Sequence, residues 1–142
     1  MFTLSDASKQ KLSSADPRLQ RVTLAVVERY GIPVSVLFGH RNKADQDAAV
    51  KAGKSELPWP RSKHNSLPSK AIDLAPMRWD AATRKWVIDW NDHGTFGVLA
   101  GLMLATAREL GVPLKWGADW DGDFDLREHS LRDGPHFEII ED

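Results

Sequence analysis

Ser62-Lys63-His64-Asn65-Ser66-Leu67-Pro68-Ser69-Lys70-Ala71-Ile72-Asp73-Leu74-Ala75-Pro76 passes from a polar, proline-bearing loop into a short apolar run. Residues 71–75 have the length and composition of a strand, and Pro76 ends it. The strand carries a single carboxylate, Asp73, and the loop before it carries an imidazole, His64. The end of the chain, His136-Phe137-Glu138-Ile139-Ile140, alternates polar and apolar side chains as a strand does. If these two strands pair in the middle of a sheet, His64, Asp73 and His136 meet at one place.

The rest of the chain supplies helices and further strands. Asp16-Pro17 is a capped helix start, with proline at the first helical position. Leu19, Val22, Val26 and Tyr30 recur at helical spacing, and Gly31 is placed to stop the run. Residues 33–38 read as a strand. Residues 43–52 read as a short helix ended by Gly53, and residues 54–68 as a long loop with three prolines. Residues 79–90 suggest a hairpin with Lys85-Trp86-Val87-Ile88 as one arm, the alternative being a helical turn at Asp80-Ala81-Ala82-Thr83. Residues 92–110 form the clearest helix, with Phe96, Leu99, Leu102, Met103, Ala107 and Leu110 on a helical repeat and Gly111 after it. Residues 112–116 read as another strand. Residues 117–133 read as an acidic, glycine-containing loop. Helices and strands are interspersed without a βαβ rhythm, which predicts an α+β domain spanning 1–142.

Composition narrows the function. The 142 residues suit one domain with its own core, and the hydrophobic share of 42% is ordinary. A formal net charge of −1 gives no reason to expect nucleic acid or an anionic membrane as partner. No apolar run approaches ~18 residues, so no membrane insertion is expected. Met1-Phe2-Thr3-Leu4-Ser5-Asp6 lacks the basic and apolar regions of a secretory signal, which predicts synthesis in the cytoplasm. The chain has no cysteine, so any metal must be held by imidazoles and carboxylates.

Two imidazoles and a carboxylate are what catalytic zinc requires, with a fourth position left for water. Asp133, three residues before His136, is then a candidate general base. No His-Glu-x-x-His occurs, so a helix-borne zinc site of that type is excluded. His40, His93 and His129 compete for a ligand role. His93 lies at a helix start, His129 in the acidic loop, and His40 beside Arg41. On residue types alone a structural role for each His and Asp stays open.

The segments together resemble the zinc-dependent peptidoglycan peptidases of the VanY type. That group includes D-alanyl-D-alanine carboxypeptidases and dipeptidases, and L-alanyl-D-glutamate endopeptidases of phage endolysins. Ser62-Lys63-His64 with Ala71-Ile72-Asp73 resembles the first motif, and Asp133-Gly134-Pro135-His136 the second. Gly39-His40-Arg41 and Trp116-Gly117-Ala118-Asp119-Trp120 resemble two accessory segments, so the likeness runs from about residue 38 to 138. The spacer from His64 to Asp73 is two residues longer than the commonest form, and Asp133 stands where many relatives carry Glu.

The resemblance implies a small domain with a central, mainly antiparallel sheet flanked by helices, of the hedgehog/DD-peptidase kind. It implies one Zn2+ per chain on His64, Asp73 and His136, with Asp133 as base. Arg41 would stabilise an oxyanion or clamp a substrate carboxylate, the alternative being an ion pair with Asp45 or Asp47. Ser62 would bind substrate or hold the His64 loop. The implied partner is the bacterial peptidoglycan peptide, cut by a monomer that is released to the wall through a holin-made opening. A D,D-carboxypeptidase of the same family and a non-catalytic zinc module for wall peptides are the competing readings.

Two features stand apart from this reading. Asp119-Trp120-Asp121-Gly122-Asp123-Phe124-Asp125 alternates carboxylates about a glycine, but Ser130 stands where a calcium loop puts its bidentate Glu. A solvated turn is the preferred reading over a Ca2+ site. Of the six tryptophans, Trp86 and Trp116 are expected in the core, while Trp59 and Trp120 stay open between core and substrate groove.

Overall fold

A computed structural model describes residues 2–119, 122 and 134–141. Its centre is the strand β2 (Ala71–Pro76), buried along its whole length. An antiparallel four-stranded sheet surrounds it in the order β1-β2-β6-β5. The other members are β1 (Val34–Phe38), β5 (Leu114–Trp116) and β6 (His136–Ile139). The expected central pairing is present, and its register sets Asp73 directly opposite His136.

Strand alternation then separates two faces. Ile72, Leu74, Phe137 and Ile139 point into the hydrophobic core with Leu19, Val22, Val26, Leu99 and Met103. Asp73, His136 and Glu138 occupy the alternate positions and share the opposite face. The core side is closed by α1 (Asp6–Ser13), α2 (Pro17–Tyr30) and α4 (His93–Glu109), with α1 against β1, α4 against β2 and β5, and α2 against α4. One more helix, α3 (Lys43–Lys51), follows β1. A separate hairpin, β3 (Arg78–Asp80) with β4 (Lys85–Val87), joins β2 to α4. The domain is α+β, as expected.

Local chemistry explains the element ends. Asp16 caps α2 by accepting the Arg18 amide at 2.8 Å, and Gly31 stops it with φ of +63°, the left-handed region that favours glycine. The Asp16 carboxylate also pairs with Arg18 at 3.0 Å and Lys70 at 2.9 Å. The Arg18 hydrogen bond, aided by Lys70 and opposed by burial, holds its pKa well below the usual carboxylate range. Lys70 directly precedes β2, so this cluster pins the N-terminus of α2 to the start of the central strand.

Three expectations need correction. The helix α1 was not anticipated, because DASKQKLS is mostly polar and buries only Ser8 and Leu12. Ser8 nevertheless matters: its hydroxyl accepts the Val36 amide of β1 at 3.0 Å. Tyr30 ends the α2 stripe in solvent rather than in the core. Trp86 is 46% exposed and not a core residue. It lies on a two-stranded hairpin outside the main sheet, where its ring meets those of Trp79 and Phe2 edge to face. Trp116 is half-buried against the core, and its Nε1–H donates to the Gly134 carbonyl at 2.8 Å.

Candidate metal centre

His64 is delivered by a short 3₁₀ turn, Lys63–Asn65. Ser62 caps the turn: its hydroxyl accepts the His64 amide at 3.2 Å, and Asn65 Oδ1 accepts the Ser62 amide at 3.0 Å. The turn is also tied to the loop after β1, since the Arg41 amide donates to the His64 carbonyl at 2.7 Å. Asn65 Nδ2 in turn donates to Gln46 of α3 at 3.1 Å. A segment that is loop by composition is therefore held on several sides.

His64, Asp73 and His136 are all buried, and their ligand atoms converge. His64 Nε2 lies 3.2 Å from Asp73 Oδ1 and 3.3 Å from His136 Nδ1, and the third edge, His136 Nδ1 to Asp73 Oδ1, is 3.2 Å. Bonds of ~2.0–2.1 Å in a tetrahedral zinc site give ligand–ligand edges of about 3.3–3.4 Å. The triangle therefore has the dimensions of one face of such a tetrahedron.

The outer hydrogen bonds fix the tautomers. His64 Nδ1 lies 2.7 Å from the Gly39 carbonyl, and His136 Nε2 lies 2.9 Å from Glu138 Oε1. A carbonyl and a carboxylate can only accept, so both ring nitrogens facing outward must be N–H. The inward nitrogens then present lone pairs, next to a carboxylate oxygen that also presents lone pairs. Three mutually facing acceptors repel unless they share a positive charge, a proton or a metal ion. These residues could hold a metal ion.

Arg41 sits behind this triangle. It is 5% exposed, and its Nη2 donates to Asp73 Oδ2 at 2.9 Å, leaving Oδ1 for the inner site. The guanidinium also stacks 4.3 Å from the Phe38 ring centroid. An ion pair with Asp45 or Asp47 is not formed; Asp47 pairs with Lys43 on the exposed side of α3. For Asp73, burial alone would raise the pKa. Protonation of the facing imidazoles, whose charge and hydrogen bonds would then meet it, outweighs burial and draws the carboxyl well below its usual range; a metal ion in the same place would supply the positive charge instead.

Glu138 and Lys63 complete the surroundings, and the residue-type reading gave neither a role. Lys63 Nζ lies 2.9 Å from Glu138 Oε2 and also donates to the Ile139 carbonyl. Against the raising effect of burial, hydrogen bonds from His136 and Lys63 lower the Glu138 pKa to about 2. The available signal was the strand period: Glu138 is two residues beyond His136 and must share its face. Gly39 was marked only by the resemblance of Gly39-His40-Arg41 to an accessory segment, which gave it no role. A Cβ there would lie 2.3 Å from the Lys11 carbonyl oxygen, so only glycine lets α1 approach while the Gly39 carbonyl faces His64.

Of the competing histidines, His40 contacts the Ser66 carbonyl at 2.9 Å, beside the His64 loop, and His93 is exposed at the start of α4. The expected base Asp133 lies outside the described residues. So do His129, Trp120 and most of the acidic stretch 119–125. Trp59 is half-buried.

The model of the family described as phage L-alanyl-D-glutamate peptidase matches residues 1–140. This chain belongs to that family. Similar to it is the L-alanyl-D-glutamate peptidase of Escherichia phage T5, 30% identical over 142 residues and covering 98% of each chain. Among solved structures, the L-Ala D-Glu endopeptidase ChiX of Serratia marcescens superposes with a TM-score of 0.73 at 29% identity. That match covers 96% of this chain and 89% of ChiX. Membership agrees with the α+β fold and with the buried His-Asp-His cluster. Among the described residues, no helix is long and apolar enough to cross a membrane.

Proposed function

We propose that this chain is a zinc-dependent endopeptidase that hydrolyses the L-Ala–D-Glu bond in the stem peptides of bacterial peptidoglycan. The observation that carries the zinc reading is the 3.2–3.3 Å triangle of His64 Nε2, Asp73 Oδ1 and His136 Nδ1, with both outer ring N–H groups already committed. Family membership and the names of both relatives support the peptidase reading and the bond.

Bound on these three residues, zinc would supply a Lewis acid for the scissile carbonyl and a water acidified toward ~7. The chain's own groups do the rest. Gly39 and Glu138 hold the two imidazoles in the tautomers that face inward. Arg41 holds Asp73 by its outer oxygen, so the inner oxygen is aimed and not free to rotate. With its guanidinium buried on Asp73, Arg41 acts here as a positioning residue. Ser62 caps the turn that delivers His64 and so fixes the height of that ring. Asp133, three residues before His136, takes the proton of the attacking water and returns it to the leaving amine. The enzyme acts as a monomer on the wall peptide after release from the cytoplasm.

The test is mass spectrometry of the fragments from a defined muropeptide. The expected products are a new N-terminal D-Glu peptide and a sugar-linked L-Ala. Asp133→Ala should abolish release while zinc binding stays within a fewfold of the parent. Unchanged release by that variant, or products cut between D-Ala residues, would refute the assignment.

A further inference from the structure

The segment between β2 and α4 exposes three of the six tryptophans, Trp79 (51%), Trp86 (46%) and Trp90 (53%). Large apolar side chains so exposed and so close in sequence are unusual unless something covers them in use. Trp79 and Trp86 face each other across the hairpin rung and meet edge to face at 5.5 Å. Trp90 stacks on Phe96 with 26° between the rings and 5.8 Å between centroids.

This surface adjoins the metal centre. Phe96 is buried, and its ring lies 3.5 Å from where a Gly134 Cβ would stand, two residues before His136. All three tryptophans belong to the one segment between β2 and α4, and Asp92, two residues after Trp90, caps the helix that carries Phe96. Aromatic side chains thus recur along this segment up to the residue that lines the wall of the candidate site.

Charge selects the occupant. Residues 78–92 carry three basic side chains, Arg78, Arg84 and Lys85, and three acidic ones, Asp80, Asp89 and Asp92. A surface for anionic lipid or a charged polymer would carry an excess of one sign. Exposed indole faces in a balanced field suit a neutral polyhydroxylated chain, whose pyranose C–H faces lie flat on the ring while its hydroxyls reach neighbouring polar groups. The proposed substrate supplies one: the L-Ala before the scissile bond is amide-linked to the lactyl group of a sugar in the wall's glycan strand.

We propose that Trp79, Trp86 and Trp90 form a binding surface for the glycan strand of peptidoglycan, beside the bond to be cut. The inference rests on the endopeptidase reading for its choice of ligand, but its test does not need catalysis. Glycan strands stripped of their peptides by an amidase, with the freed lactyl carboxylates capped as methylamides so that the chain is neutral, are titrated against the full chain, followed by cosedimentation. Wild type should bind. Trp86→Ala and Trp90→Ala should each weaken binding about tenfold, the scale for truncating an aromatic anchor. Trp90→Tyr, which keeps a ring face, should recover most of the loss. In turnover, both alanine variants should raise KM on sugar-bearing muropeptide and leave kcat/KM on a sugar-free L-Ala-D-Glu peptide unchanged. A wild-type chain that ignores stripped glycan, or that binds phosphatidylglycerol vesicles instead, overturns the proposal. So do alanine variants that bind glycan as wild type does, or that lose equally on the sugar-free peptide. Glycan binding by a chain that cuts no substrate would refute the endopeptidase reading alone.

Discussion

Replacing Glu138 by glutamine keeps the size of the side chain and removes its charge, which isolates what that charge does for His136. Glu138 takes the His136 Nε2–H at 2.9 Å through one oxygen and Lys63 Nζ at 2.9 Å through the other. In Glu138→Gln the amide oxygen can still accept from the ring, so the tautomer is retained. Its NH2 would then face the Lys63 ammonium, donor against donor. A hydrogen bond to an ionised acceptor is about twice as strong as a neutral one, and its loss makes His136 Nδ1 a poorer base. Loss of such an outer partner typically costs 10–100-fold in metal affinity, about 1.4–2.7 kcal/mol. We expect Glu138→Gln near the lower end of that range and Glu138→Ala, which also frees the tautomer, near the upper end. Zinc affinity is measured by competition with a chromophoric chelator at neutral pH, with circular dichroism to confirm folding. Equal zinc affinity in wild type and both variants would refute the reasoning, because it would mean that Glu138 does not bear on the Nδ1 lone pair.

Arg41→Met leaves the Asp73 carboxylate buried without its 2.9 Å partner, and the metal-free protein should lose about 3 kcal/mol or more in urea denaturation; a loss under about 1 kcal/mol would show that Asp73 does not need it. Gly39→Ala places a methyl 2.3 Å from the Lys11 carbonyl, so α1 must shift, costing about 1–3 kcal/mol by thermal melting, with zinc affinity falling as the Gly39 carbonyl leaves His64. Asp16 has a folded pKa below its unfolded value of ~3.9, so its ion pairs stabilise fully above about pH 4 and are lost as pH falls through the folded value. Asp16→Asn keeps a capping oxygen but should lower stability at neutral pH and flatten its fall in acid; parallel pH–stability curves for the two proteins would contradict this.

The central pairing could be read because β2 is apolar apart from Asp73 and β6 alternates, and those two patterns have few other ways to bury themselves. The helix α2 could be read from Asp16-Pro17 and Gly31, where covalent geometry speaks without tertiary help. Residues such as Ser8 carry no comparable mark. Ser8 matters because β1 arrives above it from 28 positions away, a fact that no local window contains. The site divides in the same way. His64 and His136 are two of five histidines and stand either side of Asp73 in a telling order, so chemistry announced them. Gly39 acts through a backbone carbonyl, which every residue has. Arg41 could be flagged as important, yet its partner could not be chosen, because Asp45 and Asp47 are near in sequence and Asp73 is near only in space. The expectation for Trp86 failed because strand propensity says nothing about whether a strand joins the main sheet.

Asp73 and His136 face each other across a single rung of the β2–β6 ladder. A slip of one position in that ladder would turn His136 toward the helices and Phe137 toward solvent. Such a chain keeps its strands yet has no place for the ion. On the zinc reading proposed above, metal uptake reports strand alignment, and the shortfall from one equivalent at saturation gives the fraction of molecules whose last strand has docked out of step.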